Sequence, residues 1–471
     1  MVKLDEVQNE VINGVESRRD FITKTSDQIY EYAEPSLQEY KSSNLIKQTL
    51  KENGFRVEPV KDQPIGFIAS WGEGEPVIAT YGECDATEGE GESQDQVPYR
   101  KPLPEKLGGF MDMHNGLGSA SMGAILAVKQ VMEQYKLKGT IKYFLTPAEK
   151  LMIGKSFMAR DGYFEGLDAL LGWHPGHATF ADWGLEILAY QLEEYIFYSN
   201  PSWSGRPSSG QSALDALILM SNNIEYAKEH ILPNEAKHVI SSIITDGGKS
   251  PTATPTFARG LYTIRALRRE HVDKVIRKLE DCAEAACKVT GCTYKKRVIS
   301  GTWHAIYNHT LVNLVYKNML PIGPPKFTDD DKKYINEIFK NLGLEKKEEP
   351  WDLKIIPPTG KSKPAASDDH SEFCYFCPTC RFYVNYMPGD SDTPWHLPSW
   401  VGTAFAAMHI GHETEITAAK ILSSSMVELL MCPEILKEAK DEFKKAGLRK
   451  MWKSPIPKNE KPLTRAPLAD K

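Results

Sequence analysis

Cysteine is scarce: eight in 471 residues, too few for a disulfide scaffold. Three of them form the run Cys374, Cys377 and Cys380, set in an aromatic and β-branched stretch. That stretch reads as a buried strand in which free cysteines serve as small apolar packing residues. No run of roughly 18 apolar residues occurs, which excludes a membrane-spanning helix. The first twenty residues are charged and polar, without an apolar core or a cleavage site. No secretory signal is therefore expected, and the cytoplasm is the expected compartment. Positive charge is not in excess either: Lys+Arg is 57 against Asp+Glu 63, a net charge of −6. That balance suits phosphate backbones poorly, so nucleic acid is not an expected partner. No internal repeat is present. What remains is 41% hydrophobic and 25% charged, the composition of an ordinary globular protein, at a length that calls for more than one domain.

Helical apolar spacing runs over 4–33 and again over 42–53. Strand-like runs at 65–71 and 76–83 precede a polar loop over 86–108. A helix with a small-residue face is predicted from 117 to 135, then strands at 139–147 and 167–175. Strands alternating with helices imply parallel βαβ units and an α/β core. Near residue 190 the order becomes strand, helix, strand, strand, helix, as in a small α+β domain. The α/β pattern resumes after Asn308 and closes in a helix over 414–430. The expected organisation is a catalytic domain in two parts, 1–190 and 304–448, an insert over 191–303, and a basic tail over 449–471. The tail is expected to be an arm over a neighbour or partly disordered.

Four clusters carry chemistry: Tyr81-Gly-Glu-Cys-Asp85, the run around Asp112 and His114, Thr146-Pro-Ala-Glu149-Lys150, and Gly172-Trp-His174-Pro-Gly-His177. Three follow strands and the fourth opens a helix. In open α/β sheets, ligand sites form beyond the carboxyl ends of the strands, where these clusters would converge. Asp112, His114 and His174 make a two-imidazole, one-carboxylate set suited to zinc, manganese or iron(II). Glu149 is placed to act as general base on a water there, and Asp85 to orient a ligand imidazole. His409 and His412 read as structural, and the Asp368-Asp-His370 loop as a helix cap.

These motifs resemble the metal-dependent amidohydrolase family of aminoacylase, carboxypeptidase G and p-aminobenzoyl-glutamate hydrolase, most of all the last branch. The family's Glu-x-Asp-Ala strand end resembles Glu83-Cys-Asp85-Ala, and its Thr-Pro-Ala-Glu-Glu resembles Thr146-Pro-Ala-Glu149-Lys150. Gly-Lys-x-Phe-Met-Ala-Arg-Asp-Gly at 154–162, Trp173-His174-Pro175, Thr245-Asp-Gly-Gly248 and Thr393-Pro-Trp-His396 extend the likeness over nearly the whole chain. The resemblance implies a zinc-peptidase-like α/β domain with a mixed sheet flanked by helices, interrupted by a smaller α+β dimerisation or lid domain. It also implies a homodimer or homotetramer and a small-molecule substrate.

The departures from that pattern bear on function. The family holds two metals, and the second carboxylate of its Glu-Glu pair ligates one of them. Here that position is Lys150, whose ammonium has no lone pair to offer a cation. One divalent transition metal is therefore expected instead of two. The branch's cysteine ligand is Asp112 here, a harder donor that favours manganese or iron over a thiolate-zinc site. His396 matches a ligand of the lost metal and is freed to act as acid, base or hydrogen-bond donor. In the insert, Trp203 stands where the family places a histidine that reaches into the partner's site. Thr252 replaces an asparagine, and Arg265 keeps a position able to hold a substrate carboxylate. The expected activity is hydrolysis of a C–N bond in a small aromatic carboxylate, either an amide or an aryl amine released as ammonia. Two other readings stay open: a catalytically silent member that binds a ligand or partner subunit, and a two-metal peptidase with an unusual ligand. Metal content separates the three.

Overall fold

A computed structural model describes residues 3–89, 92–184, 187–233, 236–359, 366–389 and 397–464. The helical spacing near the N-terminus resolves into two helices, Leu4–Glu16 and Arg19–Tyr32. The break falls where Ser17 Oγ donates to Gly14 O at 3.0 Å, a side-chain bond that competes with helix continuation. Val7, Val11, Val15, Ile22 and Ile29 are then all fully buried.

Among the described residues the large sheet has eight strands. Its centre is parallel, in the order Gly139–Leu145, Val77–Gly82, Ala169–Gly176, Thr379–Asn385. These strands are nearly all buried, as strands covered on both faces must be. Antiparallel strands extend both flanks: Gln63–Glu73 and Arg56–Val60 on one side, Thr179–Ala181 on the other. The helices His114–Tyr135 and His409–Met431 are buried on almost every face and pack on each other in the core. The Cys374–Cys380 run is buried and its cysteines are free.

A second sheet takes the order His238–Asp246, Phe257–Ala266, Ala189–Tyr198, Thr293–Thr302, all antiparallel. The helices Ala213–Ala227 and Arg269–Thr290 bury their apolar sides on one face of it. Residues Tyr190, Leu192, Leu261, Val298 and Ile299 instead join Ala148, Met152, Ile153 and Phe157 of the large domain in one apolar cluster. The smaller domain thus rests on the loop that carries Glu149. Its edge strand leaves Val239, Ile243 and Ile244 about half exposed, at 52%, 52% and 49%.

As far as residue 464 the tail packs on its own chain. Trp452 Nε1 donates to Glu372 Oε2 at 2.7 Å, Arg160 to the carbonyl of Glu460 at 2.6 Å, and Arg297 to the Glu460 carboxylate at 3.2 Å. The reason is apolar: Ile456 is buried in the cluster between the two domains. Among the described residues no single helix is long and apolar enough to cross a membrane.

Candidate metal and catalytic site

The site lies at the carboxyl ends of the parallel strands. Val77–Gly82 delivers Glu83 and Asp85, Gly139–Leu145 leads to Glu149 and Lys150, and Ala169–Gly176 carries His174. His114 opens the long buried helix. That helix approaches the strand end so closely that a Cβ on Gly118 would meet the Glu83 carbonyl at 2.7 Å and Cys84 Sγ at 2.8 Å. Only glycine lets His114 reach Glu83. Met113 and Ala148, next to His114 and Glu149, hold φ of 54° and 55°. Left-handed backbone at such residues costs of order 1–3 kcal/mol each and collects at functional sites.

His114 is the hub. Its Nδ1 lies 2.9 Å from Asp85 Oδ1, and Asp85 Oδ2 accepts from Ser36 Oγ at 2.7 Å and from Lys150 N at 3.0 Å. A carboxylate can only accept, so Nδ1 carries the hydrogen and Nε2 faces the site. Around Nε2 stand Glu83 Oε2 at 3.1 Å, Lys150 Nζ at 3.3 Å, Asp112 Oδ2 at 3.4 Å and Glu149 Oε2 at 3.9 Å. His174 Nδ1 donates to the Pro175 carbonyl at 2.8 Å, which fixes the same tautomer, and its ring sits 5.7 Å from that of His114. The Lys150 ammonium bonds Asp112 Oδ2 and lies 3.4 Å from Glu149 Oε2.

Charge in this cluster follows from burial and neighbours. Burial disfavours an imidazolium at His114, but the carboxylates, Asp112 foremost, outweigh it and raise the pKa to about 9. Burial, followed by the Arg381 charge, pushes His174 well below its usual range, so it stays neutral. Glu149 is driven well above the ordinary carboxylate range by burial, a shift that Lys150 opposes. For Asp112, burial is outweighed by His114 and Lys150, and its carboxyl falls below the ordinary range. Lys150 stays an ammonium, because Asp112 and Glu149 overcome the cost of burying it.

The donor set fits a metal ion. Two imidazoles present Nε2, and two buried carboxylate oxygens, Glu83 Oε2 and Asp112 Oδ1, lack any hydrogen-bond partner. Three overlapping groups of donors could each hold a cation among the described residues: Glu83, His114 and His174; Asp112, His114 and Glu149; Glu83, Asp368 and Asp369. Asp112 and His174 fall in different groups, joined through His114.

Known proteins place this geometry. One of the subunits of the E. coli p-aminobenzoyl-glutamate hydrolase is 28% identical over 98% of this chain and 99% of its own. The Bacillus subtilis N-acetyl-L-cysteine deacetylase is 32% identical over 84% of this chain and 87% of its own. The chain belongs to the M20 amidohydrolase family, nearest its aminobenzoyl-glutamate branch. Members of this family act on C–N bonds, and this chain is a hydrolase of that kind. A dinuclear metal-binding peptidase of the M20 family from B. subtilis shares the fold, with a TM-score of 0.55 at 17% identity, covering 88% of this chain and 99% of that one. No family model matches the sequence.

In this M20 chain Asp85, Asp112, His114, Glu149, Lys150 and His174 come together as neighbours. Arg265 is on the smaller sheet, its guanidinium 5.1 Å over the Tyr190 ring. Trp203 is 63% exposed and bridges to Ala253, beside Thr252, whose hydroxyl pairs with Ser250. Among the described residues no hydrogen bond joins either of these to the cluster. His396 lies outside the described residues. His409 and His412 pair with Asp331 and Asp27, and Asp368 caps the short helix Asp369–Tyr375. Sequence reasoning gave no role to Glu83, Glu39 or Lys155. Glu39 accepts from Ala148 N at 2.7 Å and so holds the Glu149 loop. Lys155 is fully buried and bonds both Glu83 and Asp369. The available signal was a lysine inside the buried run 154–159, because a buried ammonium requires acidic partners.

Proposed function

We propose that this protein hydrolyses an amide C–N bond in a small aromatic substrate bearing a carboxylate, using one divalent transition metal. The observation that carries this reading is the Lys150 ammonium set among Asp112, His114 and Glu149. It fills one cation position with the chain's own charge and leaves His114, His174 and the free oxygen of Asp112 as ligands for a single ion, of which manganese, iron and zinc are the candidates. When bound, such an ion supplies Lewis acidity that activates water and polarises the scissile carbonyl.

The chain's own groups do the rest. Glu149 accepts a proton from the attacking water and returns it to the leaving nitrogen. Lys150 holds Asp112 in place and supplies positive charge close to the developing oxyanion. Arg265 has no carboxylate partner among the described residues, which supports a role in holding the substrate's carboxylate. Trp203 and Thr252 are exposed on the smaller domain, which suits a role in the site of a second copy. The half-exposed edge strand His238–Asp246 supports a homodimer formed by strand pairing. An amide is favoured because the relatives include an aminobenzoyl-glutamate hydrolase and a deacetylase.

The test is purified protein loaded with Mn²⁺ or Zn²⁺ and incubated with p-aminobenzoyl-glutamate and related N-acyl aromatic carboxylates. Release of the free amine, lost on chelation and lowered about 10²–10⁴-fold in Glu149→Gln at unchanged metal content, is the expected result. Release of ammonia from an aryl amine replaces the amide by the second bond type. Protein that takes up no metal and turns over no substrate defeats the reading.

A further inference from the structure

Two of the three cation positions already hold an ammonium. Lys150 sits in the group of Asp112, His114 and Glu149, and Lys155 bonds two members of the group of Glu83, Asp368 and Asp369. The remaining group among the described residues is Glu83, His114 and His174, in which neither ammonium bonds Glu83 Oε2. Its donor atoms lie within 4.8 Å of one another, and its side chains are buried.

Each of the three donors is oriented from behind. Asp85 fixes the His114 tautomer and the Pro175 carbonyl fixes that of His174. Lys155 holds Glu83 through Oε1, which leaves Oε2 without a hydrogen bond, 3.1 Å from His114 Nε2. A fully buried carboxylate oxygen without a partner carries a large desolvation cost unless a cation completes it. Asp112, by contrast, has its Oδ2 committed to Lys150. We infer that Glu83 is a direct ligand of the metal, joining His114 and His174, and that it supplies the carboxylate that position 150 no longer offers. Lys155 is one ammonium shared by two carboxylates, Glu83 and Asp369, so negative charge stays in excess for a bound cation to offset, and the free oxygen of Glu83 faces His114. This inference rests on the one-metal reading proposed for the site.

The test is a competitive chelator titration of Co²⁺ on the full chain, followed by its visible ligand-field spectrum, with wild type and Glu83→Gln side by side. The glutamine variant leaves Lys155 paired one-to-one with Asp369, so the fold is expected to survive. Should it not, Glu83→Asp keeps the charge and withdraws the oxygen by one methylene, and it reads the same difference. The expected result is one Co²⁺ bound by wild type and an affinity weakened more than about 100-fold in the variant, beyond what residues behind a ligand cost, with an altered spectrum. A smaller loss with an unchanged spectrum overturns Glu83 as a ligand and leaves the one-metal reading standing. No Co²⁺ bound by wild type overturns both.

Discussion

An ammonium at position 150 does what a carboxylate there cannot: it pairs with Asp112 and sets a positive charge beside Glu149. This residue was legible from the amino-acid order alone, because a lysine has no lone pair to give while charged. Glu83 was not. A glutamate at a strand end carries no signal of its own until folding shows which of its oxygens is left unpaired. The same holds for Lys155, whose role depends on Asp369, 214 residues further along the chain. The prediction that belongs here is Lys150→Glu. It restores the second carboxylate of the family's pair and removes the competing charge. Elemental analysis of the metal-replete variant is expected to find close to two ions per chain where wild type holds one. An unchanged content would mean that Lys150 does not exclude the second ion.

Elements were read more surely than residues. The alternation of buried strands and helices announced the parallel sheet because period and burial are local properties. The split of the N-terminal helical run at Ser17 was invisible because a hydrophobic stripe continues across it. Two predictions concern elements. At the end of the strand Thr293–Thr302, His304 is buried among Trp303 and Tyr375. Burial, aided by the charges of Arg268 and His271, pushes its pKa from 6.5 down to about 3. The unfolded chain binds this proton near pH 6.5 and the folded one does not. The stabilisation is therefore fully present above that pH and drains away as the pH falls toward 3, by at most about 1.4 kcal/mol per unit. His304→Phe removes the titration. Between pH 6.5 and 4 the melting temperature of wild type should fall more steeply than the variant's, and parallel curves would refute the assignment. The second concerns the edge strand His238–Asp246. Ile243→Lys puts a charge on its exposed face and is expected to shift light-scattering mass from oligomer to monomer. An unchanged mass would place the interface elsewhere.

At the scale of the whole molecule, the smaller domain and the tail both bear on the Glu149 loop. The cluster of Ala148, Met152, Tyr190, Leu192, Val298 and Ile456 ties the three together, next to Glu149 in sequence. The tail's composition, rich in lysine and proline, gave no sign of this, because one buried isoleucine and a few hydrogen bonds anchor it. The proposed chemistry of the whole molecule depends on a single ion beside the imidazoles, with lysines standing in for others. An anomalous-difference map from metal-replete crystals tests that claim most directly. One peak in reach of His114, His174 and Glu83, with Lys150 Nζ still on Asp112, is the expected result. Two peaks about 3.5–4 Å apart would contradict it.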